Sequence, residues 1–210
     1  MSDEKFKNKY RIPSARATWH DYGGGAYFIT VCTKNRVHYF GEIMRNENNE
    51  QTIELSSIGK YLQNNLQNIN EHYPYAEIPL FVVMPNHWHA IVFIDGEKTP
   101  YQRRSAENIT DRQCRDGARP VSTTEPTTNE NMQKINAWKG WLSVVIGGIK
   151  SSTTKFTNEN NFDFAWQTRF DDHIIRNQSE MNRIADYIEN NVALWDNDCF
   201  NKINATSPQS

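Results

Sequence analysis

Ile78-Pro79-Leu80-Phe81-Val82-Val83-Met84-Pro85-Asn86-His87-Trp88-His89-Ala90-Ile91-Val92-Phe93-Ile94 decides the fold of this chain. Two apolar runs of strand length meet at Pro85-Asn86, and such a pair around a turn dipeptide reads as an antiparallel hairpin. Outward from it, Ala26–Thr33 (AYFITVCT) is a β-branched and aromatic strand entered from Gly23-Gly24-Gly25. Thr52–Leu55 is a short strand after the polar turn Asn46–Glu50. Ser56 or Ser57 caps a helix whose apolar positions Ile58, Leu62, Leu66 and Ile69 recur every three or four residues, closed off by Pro74. Further on, Trp138, Trp141, Leu142, Val145, Ile149 and Phe156 mark a second helix, weakened by Gly147-Gly148. Trp166–Ile175 reads as a last strand. Asn177 with Glu180 three residues on opens a last helix, with Met181, Ile184, Ala185, Ile188 and Val192 as its buried stripe. Strands and helices that alternate, with a hairpin among them, favour an α+β fold over a doubly wound sheet: an antiparallel sheet with helices packed on it, in a single domain.

The 210 residues suit one domain with a sizeable core. Residues 1–20 form a basic arm, with Lys5, Lys7, Lys9, Arg11 and Arg16 against Asp3 and Glu4. Residues 21–200 are the domain, and 201–210 a polar tail. About residues 97–130, large aliphatics give way to Ser, Thr, Arg and Pro, with six acids and six bases, which reads as a flexible insertion. The formal charge of −2 and the pI near 6.3 argue against a protein that coats nucleic acid, without excluding a local basic face. A mean hydropathy of −0.79 and the lack of any apolar run near 20 residues exclude a membrane-spanning chain. The polar, lysine-bearing start shows no secretory signal. Three separated cysteines, Cys32, Cys114 and Cys199, offer neither a disulfide framework nor a zinc ribbon. The expectation is a cytoplasmic protein.

His87-Trp88-His89 carries the sharpest chemistry. On a strand, residues i and i+2 share a face, so both imidazoles project together and Trp88 goes to the other side. Such a pair can hold a divalent metal and leave positions open for a substrate oxygen. Two histidines that merely pack or hydrogen-bond at a strand start satisfy the same spacing. In the last helix, Tyr187 and Asn191 sit four apart on one face at the border of the buried stripe. That placement suits entry into a cleft, and equally an ordinary core-edge tyrosine.

Several segments, taken together and in order, carry a resemblance. They are Tyr27–Thr33 with Asn35-Arg36, Phe40-Gly41-Glu42-Ile43, Val82–His89, Trp166-Gln167 with Arg169-Phe170, Asp172–Arg176, and Arg183-Ile184 with Asp186-Tyr187-Ile188. From about Tyr22 to Leu194 the chain resembles the IS200-like transposases, most of all the REP-associated tyrosine transposases. The resemblance implies a ferredoxin-like sandwich of the HUH type and a nucleophilic tyrosine at Tyr187. It also implies a divalent metal, Mg²⁺ or Mn²⁺, on His87, His89 and Asn191. Ligand type alone leaves Zn²⁺ open. The implied reaction gives a 5′-phosphotyrosine and a free 3′-hydroxyl on single-stranded hairpin DNA, by a monomer or homodimer. Arg11, Arg16, Arg36 and Lys150 are candidate DNA-binding residues. The absence of a GxxxxGK[ST] loop fits chemistry without a nucleotide cofactor. Two positions depart from the family pattern: Val192 stands where proline is common, which lets the helix run on to Leu194, and Asp171 replaces an aromatic residue or histidine. The rival from another class is a catalytically silent module that binds hairpin DNA or RNA.

Overall fold

A computed structural model describes residues 24–99 and 128–201, with residues 24 and 128–139 given by backbone alone. The basic arm with Arg11 and Arg16, most of the 97–130 insertion, and residues 202–210 lie outside the described residues. The hairpin read from the sequence is present as β4 (Ala76–Met84) and β5 (His87–Asp95), joined by Pro85-Asn86. It is built into a four-stranded antiparallel sheet with β1 (Gly24–Cys32) and β6 (Asp171–Ile174), in the order β4-β5-β1-β6. Pro79, which has no N–H for a ladder, falls at the register shift of the edge strand β4 between Glu77 and Leu80. Edge strands and bulges are where a sheet tolerates proline. Two shorter strands, β2 (Gly41–Arg45) and β3 (Gln51–Leu55), pair as a separate ribbon.

Alternation along the strands divides the core in two. Tyr27, Ile29, Val31, Trp88, Ala90 and Val92 face one side, under α1 (Ser57–Gln67), α2 (Ile69–His72) and α3 (Thr128–Glu159). Ala26, Phe28, Leu80, Val82, Ile91 and Phe93 face the other, where α4 (Gln178–Asn190) packs with Met181, Ile184, Ala185 and Ile188. Ser56 caps α1, its hydroxyl accepting from the Gly59 N–H. Leu62 and Leu66 then enter the core fully buried, each contributing roughly 1.5–3 kcal/mol. Gly59 is needed because a Cβ there would stand 2.0 Å from the Phe40 carbonyl oxygen. No helix among the described residues is long and apolar enough to cross a membrane.

Several expectations need correction. Helix α3 runs through Gly147-Gly148 unbroken, because Leu142, Val145, Ile146 and Ile149 bury its stripe on both sides of the pair. It also begins at Thr128, inside the stretch read as the insertion, and Gly96–Lys98 is a 3-10 turn. The strand read over Trp166–Ile175 is shortened to Asp171–Ile174, with Trp166 in an isolated bridge to Thr33. The cause is Lys150: its ammonium donates to the carbonyls of Gln167 and Thr168, while the Trp166 indole donates to the Lys150 carbonyl. These bonds take the Gln167 and Thr168 carbonyls to α3, so that only the Gln167 N–H, on the Cys32 carbonyl, still reaches β1 from the stretch before Asp171. Nor does α4 run on to Leu194. It ends at Asn190, with Asn191 as its C-cap, and a turn leads into the 3-10 segment Trp195–Asn197.

Candidate active site

β5 and α4 bring the site together on the face of the sheet opposite α1 and α3. Strand alternation sends His87 and His89 to that face, their ring centroids 4.6 Å apart, while Trp88 is buried in the other core. Opposite them on β1, Thr30 pairs with His89 and Cys32 with His87. The Thr30 hydroxyl is 2.8 Å from His89 Nδ1. On the far side of that ring, the Tyr187 hydroxyl lies 3.2 Å from His89 Nε2, within hydrogen-bond distance. Phe28 completes the wall, stacked on His89 at 5.3 Å and edge-on to Tyr187 at 6.0 Å. Tyr187 therefore meets the histidines of its own chain.

The tautomer of His87 is set by its sequence neighbour. Asn86 spends both amide hydrogens on carbonyls, those of Arg36 at 3.2 Å and Phe200 at 2.8 Å. Its Oδ1 is left to accept from His87 Nδ1 at 2.8 Å, so the unprotonated nitrogen is Nε2. That Nε2 is buried with no hydrogen-bond partner, and so is Oδ1 of Asn191. Asn191 is 3% exposed, one turn along α4 from Tyr187. Burial pushes both imidazole pKa values down, His87 well below the ordinary value and His89 to about 4, so both are neutral at neutral pH.

Two neutral imidazole nitrogens and an amide oxygen, two of the three unpartnered and buried, are the donor types a divalent cation takes. The residues fit a metal. Among the described residues no three His, Cys, Asp or Glu side chains gather into a metal cluster; the third donor here is an amide. Tyr187 is 41% exposed, its hydroxyl turned toward His89 at the border of the buried stripe. Burial raises its pKa, as does the nearby charge of Asp198, partly offset by the Asn191 amide.

Of the four candidate DNA-binding residues, Arg36 lies at the site's edge, its guanidinium 4.0 Å over the Phe200 ring. Lys150 lies across the sheet on α3, in a cavity of about 700 Å³ lined also by Lys155, Trp166 and Phe170. Arg11 and Arg16 are outside the described residues. Four contributors carry no sequence signal of their own: Thr30, Asp198, Phe200 and the orienting role of Asn86. Phe200 packs 4.5 Å from His87, and the Asp198 carboxylate lies 3.9 Å from His87 Nε2. Of these only Asn86 was in view, as half of a turn next to the histidines.

No protein-family model matches the chain. It is 31% identical over 179 residues, 83% of each chain, to an uncharacterized protein of Haemophilus influenzae Rd. Among solved structures, a REP-associated tyrosine transposase bound to a REP hairpin is similar at a TM-score of 0.41 and 18% identity, over 83% of this chain and 72% of that one. A candidate transposase from Deinococcus radiodurans R1 is similar at a TM-score of 0.34 and 13% identity, over 85% and 98%.

Proposed function

We propose that this chain, which belongs to the same family as the uncharacterized Haemophilus influenzae protein, is a metal-dependent endonuclease and strand transferase for single-stranded hairpin DNA. One observation carries the reading: a partly exposed tyrosine sets its hydroxyl 3.2 Å from one of two buried, neutral imidazoles, beside a nitrogen and an amide oxygen that have no partner. A core-edge tyrosine needs no such surroundings. The sequence resemblance supports the hairpin DNA substrate and selects the same tyrosine.

His87 Nε2, His89 Nε2 and Asn191 Oδ1 are the atoms that would hold Mg²⁺ or Mn²⁺. When bound, the ion supplies charge stabilisation at the scissile phosphate and orients it. The remaining work belongs to the chain. Thr30 and Asn86 hold the two rings so that each presents Nε2 to the site. Helix α4 fixes Tyr187 Oη beside them, which turns a weak nucleophile into a positioned one. Oη forms its bond to phosphorus as the bond from phosphorus to the 3′ oxygen breaks. The phenolic proton leaves to solvent, and the departing 3′ oxygen takes one up. The 5′-phosphotyrosine keeps the bond energy, so a second 3′-hydroxyl reverses the step and rejoins strands without ATP. Arg36 provides a phosphate contact at the edge of the site, and Arg11 and Arg16 are further cationic side chains for the strand.

The test is a denaturing gel of the protein incubated with labelled single-stranded hairpin DNA and Mg²⁺. A covalent adduct is expected that vanishes in Tyr187→Phe and with chelator. Tight binding without adduct, across a panel of native palindromes, would replace the enzyme with the silent binding module.

A further inference from the structure

The three donors assigned to the cation are all uncharged. Mg²⁺ and Mn²⁺ are hard ions that ordinarily take at least one carboxylate, and a set of two imidazoles and an amide offers none. Among the described residues, one carboxylate lies against one of these donors, His87. Asp198 follows the 3-10 turn Trp195–Asn197, and its side chain is 7% exposed. Its Oδ1 accepts from the Phe200 N–H at 2.8 Å, which leaves Oδ2 pointing at His87 Nε2 from 3.9 Å.

That pair is not a hydrogen bond. The separation exceeds hydrogen-bond range, and the Asn86 amide has already put the proton of His87 on Nδ1. Two lone-pair atoms, one of them anionic, therefore face each other with no proton between them. The distance suits something else. Two atoms each about 2.1 Å from one ion lie about 3.0 Å apart when at right angles and about 4.2 Å apart when opposite. The observed 3.9 Å leaves room for an ion between the two atoms, nearer the opposed arrangement than the right-angled one, and a small movement of the carboxylate completes either. The segment is also anchored on both sides. Asp196 takes contacts from Arg45 and from the Gln51 amide, and the Phe200 carbonyl accepts from Asn86. Among the described residues no lysine or arginine pairs with Asp198.

We propose that Asp198 is the anionic ligand of the cation site, drawn from its place beside His87 to join His87, His89 and Asn191 as the ion binds; before that, the two histidines and Asp198 are not gathered into one cluster. The assignment rests on the metal reading of the site. It gives the site the negative charge that a hard divalent ion requires, and it explains why a nearly buried carboxylate is held against an unprotonated ring nitrogen. Removal of the charge should weaken ion binding even where the shape is kept.

The experiment titrates Mn²⁺ alone into the full chain, by calorimetry and electron paramagnetic resonance, for the parent, Asp198→Asn, Tyr187→Phe and the His87→Ala/His89→Ala double variant. Asparagine keeps an acceptor for the Phe200 N–H, so a loss in Asp198→Asn reports the charge and not the fold. The parent is expected to bind one Mn²⁺, Tyr187→Phe at least as tightly because no hydroxyl then competes for His89 Nε2, Asp198→Asn roughly tenfold or more weakly than the parent, and the double variant not at all. Binding by Asp198→Asn as tight as the parent's overturns the proposal, and so does a parent that binds no Mn²⁺. A second readout needs no variant: in the parent labelled with carbon-13 aspartate, bound Mn²⁺ should show a carbon-13 hyperfine coupling, and its absence overturns the assignment. Failure of the wider reading looks different. Mn²⁺ binding that depends on Asp198, in a protein that forms no DNA adduct, keeps the ligand and removes the strand transferase.

Discussion

Asn86 shows how much of the site's chemistry is held by a residue that never touches a substrate. Its amide donates to the carbonyls of Arg36 and Phe200, and its oxygen accepts from His87 Nδ1. It thereby ties β5, the turn after β1 and the chain's last described segment to one ring. Asn86→Ala leaves these buried groups without that partner, and the variant should lose about 2 kcal/mol of stability. Its Mn²⁺ affinity should fall by roughly 10–100-fold, because the ring is no longer held in one tautomer. Denaturant unfolding and a Mn²⁺ titration read the two effects separately. At the surface, Glu180 sets a different test. The Arg176 N–H and then the His173 ring hold its carboxyl below the usual range. A folded value below the unfolded one means that Glu180 stabilises the protein above the ordinary glutamate value. That contribution fades as pH falls through the lowered folded value. The stability gap between the parent and Glu180→Gln should therefore be present at pH 7 and shrink below about pH 4. A gap that widens in acid would contradict this.

Helix α3 carries two adjacent glycines with opposite prospects. A Cβ at Gly147 would meet nothing within 4 Å, whereas at Gly148 it would stand 1.8 Å from the Tyr73 hydroxyl. Gly147→Ala should raise stability by about 1 kcal/mol through helix propensity alone. Gly148→Ala should lower it, because the Tyr73 ring, whose hydroxyl end rests on Gly148, must move away from α3. Thermal unfolding of the two single variants gives the opposite signs directly. The same pair shows what could be read from the sequence and what could not. Local signals, such as the Ser56 cap, the Asn177–Glu180 start of α4 and the apolar runs around Pro85-Asn86, name their elements because the partner atoms lie within a few residues. Trp166–Phe170 has strand composition, yet the bonds that decide it come from Lys150, on a helix that ends before the segment begins. Its fate depends on tertiary contact. The two glycines follow the same rule: propensity weakens the helix at the pair, and burial on both sides of it keeps the helix continuous.

At the scale of the whole molecule, the sheet separates what the charge pattern had grouped. Arg36 and Lys150 both belong to basic segments of a chain with a net charge of −2, and composition alone gives them equal claims on phosphate. The site itself was half legible. His87, His89, Tyr187 and Asn191 lie on two periodic elements, so strand and helix geometry give their faces in advance. Asp198 and Phe200 follow a 3-10 turn with no period, and only the fold returns them to the histidines. The position of the lysine relative to the histidines was not legible, because a sequence does not say which side of a sheet a helix covers. Lys150 sits on α3, across the sheet from Tyr187, with its ammonium hydrogen-bonded to two carbonyls. Arg36 is beside His87, its guanidinium over Phe200 at the rim of the site. A phosphate contact adds about one unit to the slope of log affinity against log salt. Arg36→Gln should therefore lower the salt slope of hairpin binding by about one and weaken adduct formation. Lys150→Gln should leave the slope nearly unchanged and cost about 1 kcal/mol of stability, since it frees the carbonyls of Gln167 and Thr168. Fluorescence anisotropy at several salt concentrations, with the Tyr187→Phe background to block cleavage, measures both slopes. Equal losses for the two variants would mean that the strand also runs over the α3 face, through the cavity between Lys150 and Trp166. A loss for Lys150→Gln alone would move the nucleic-acid path away from the histidines altogether.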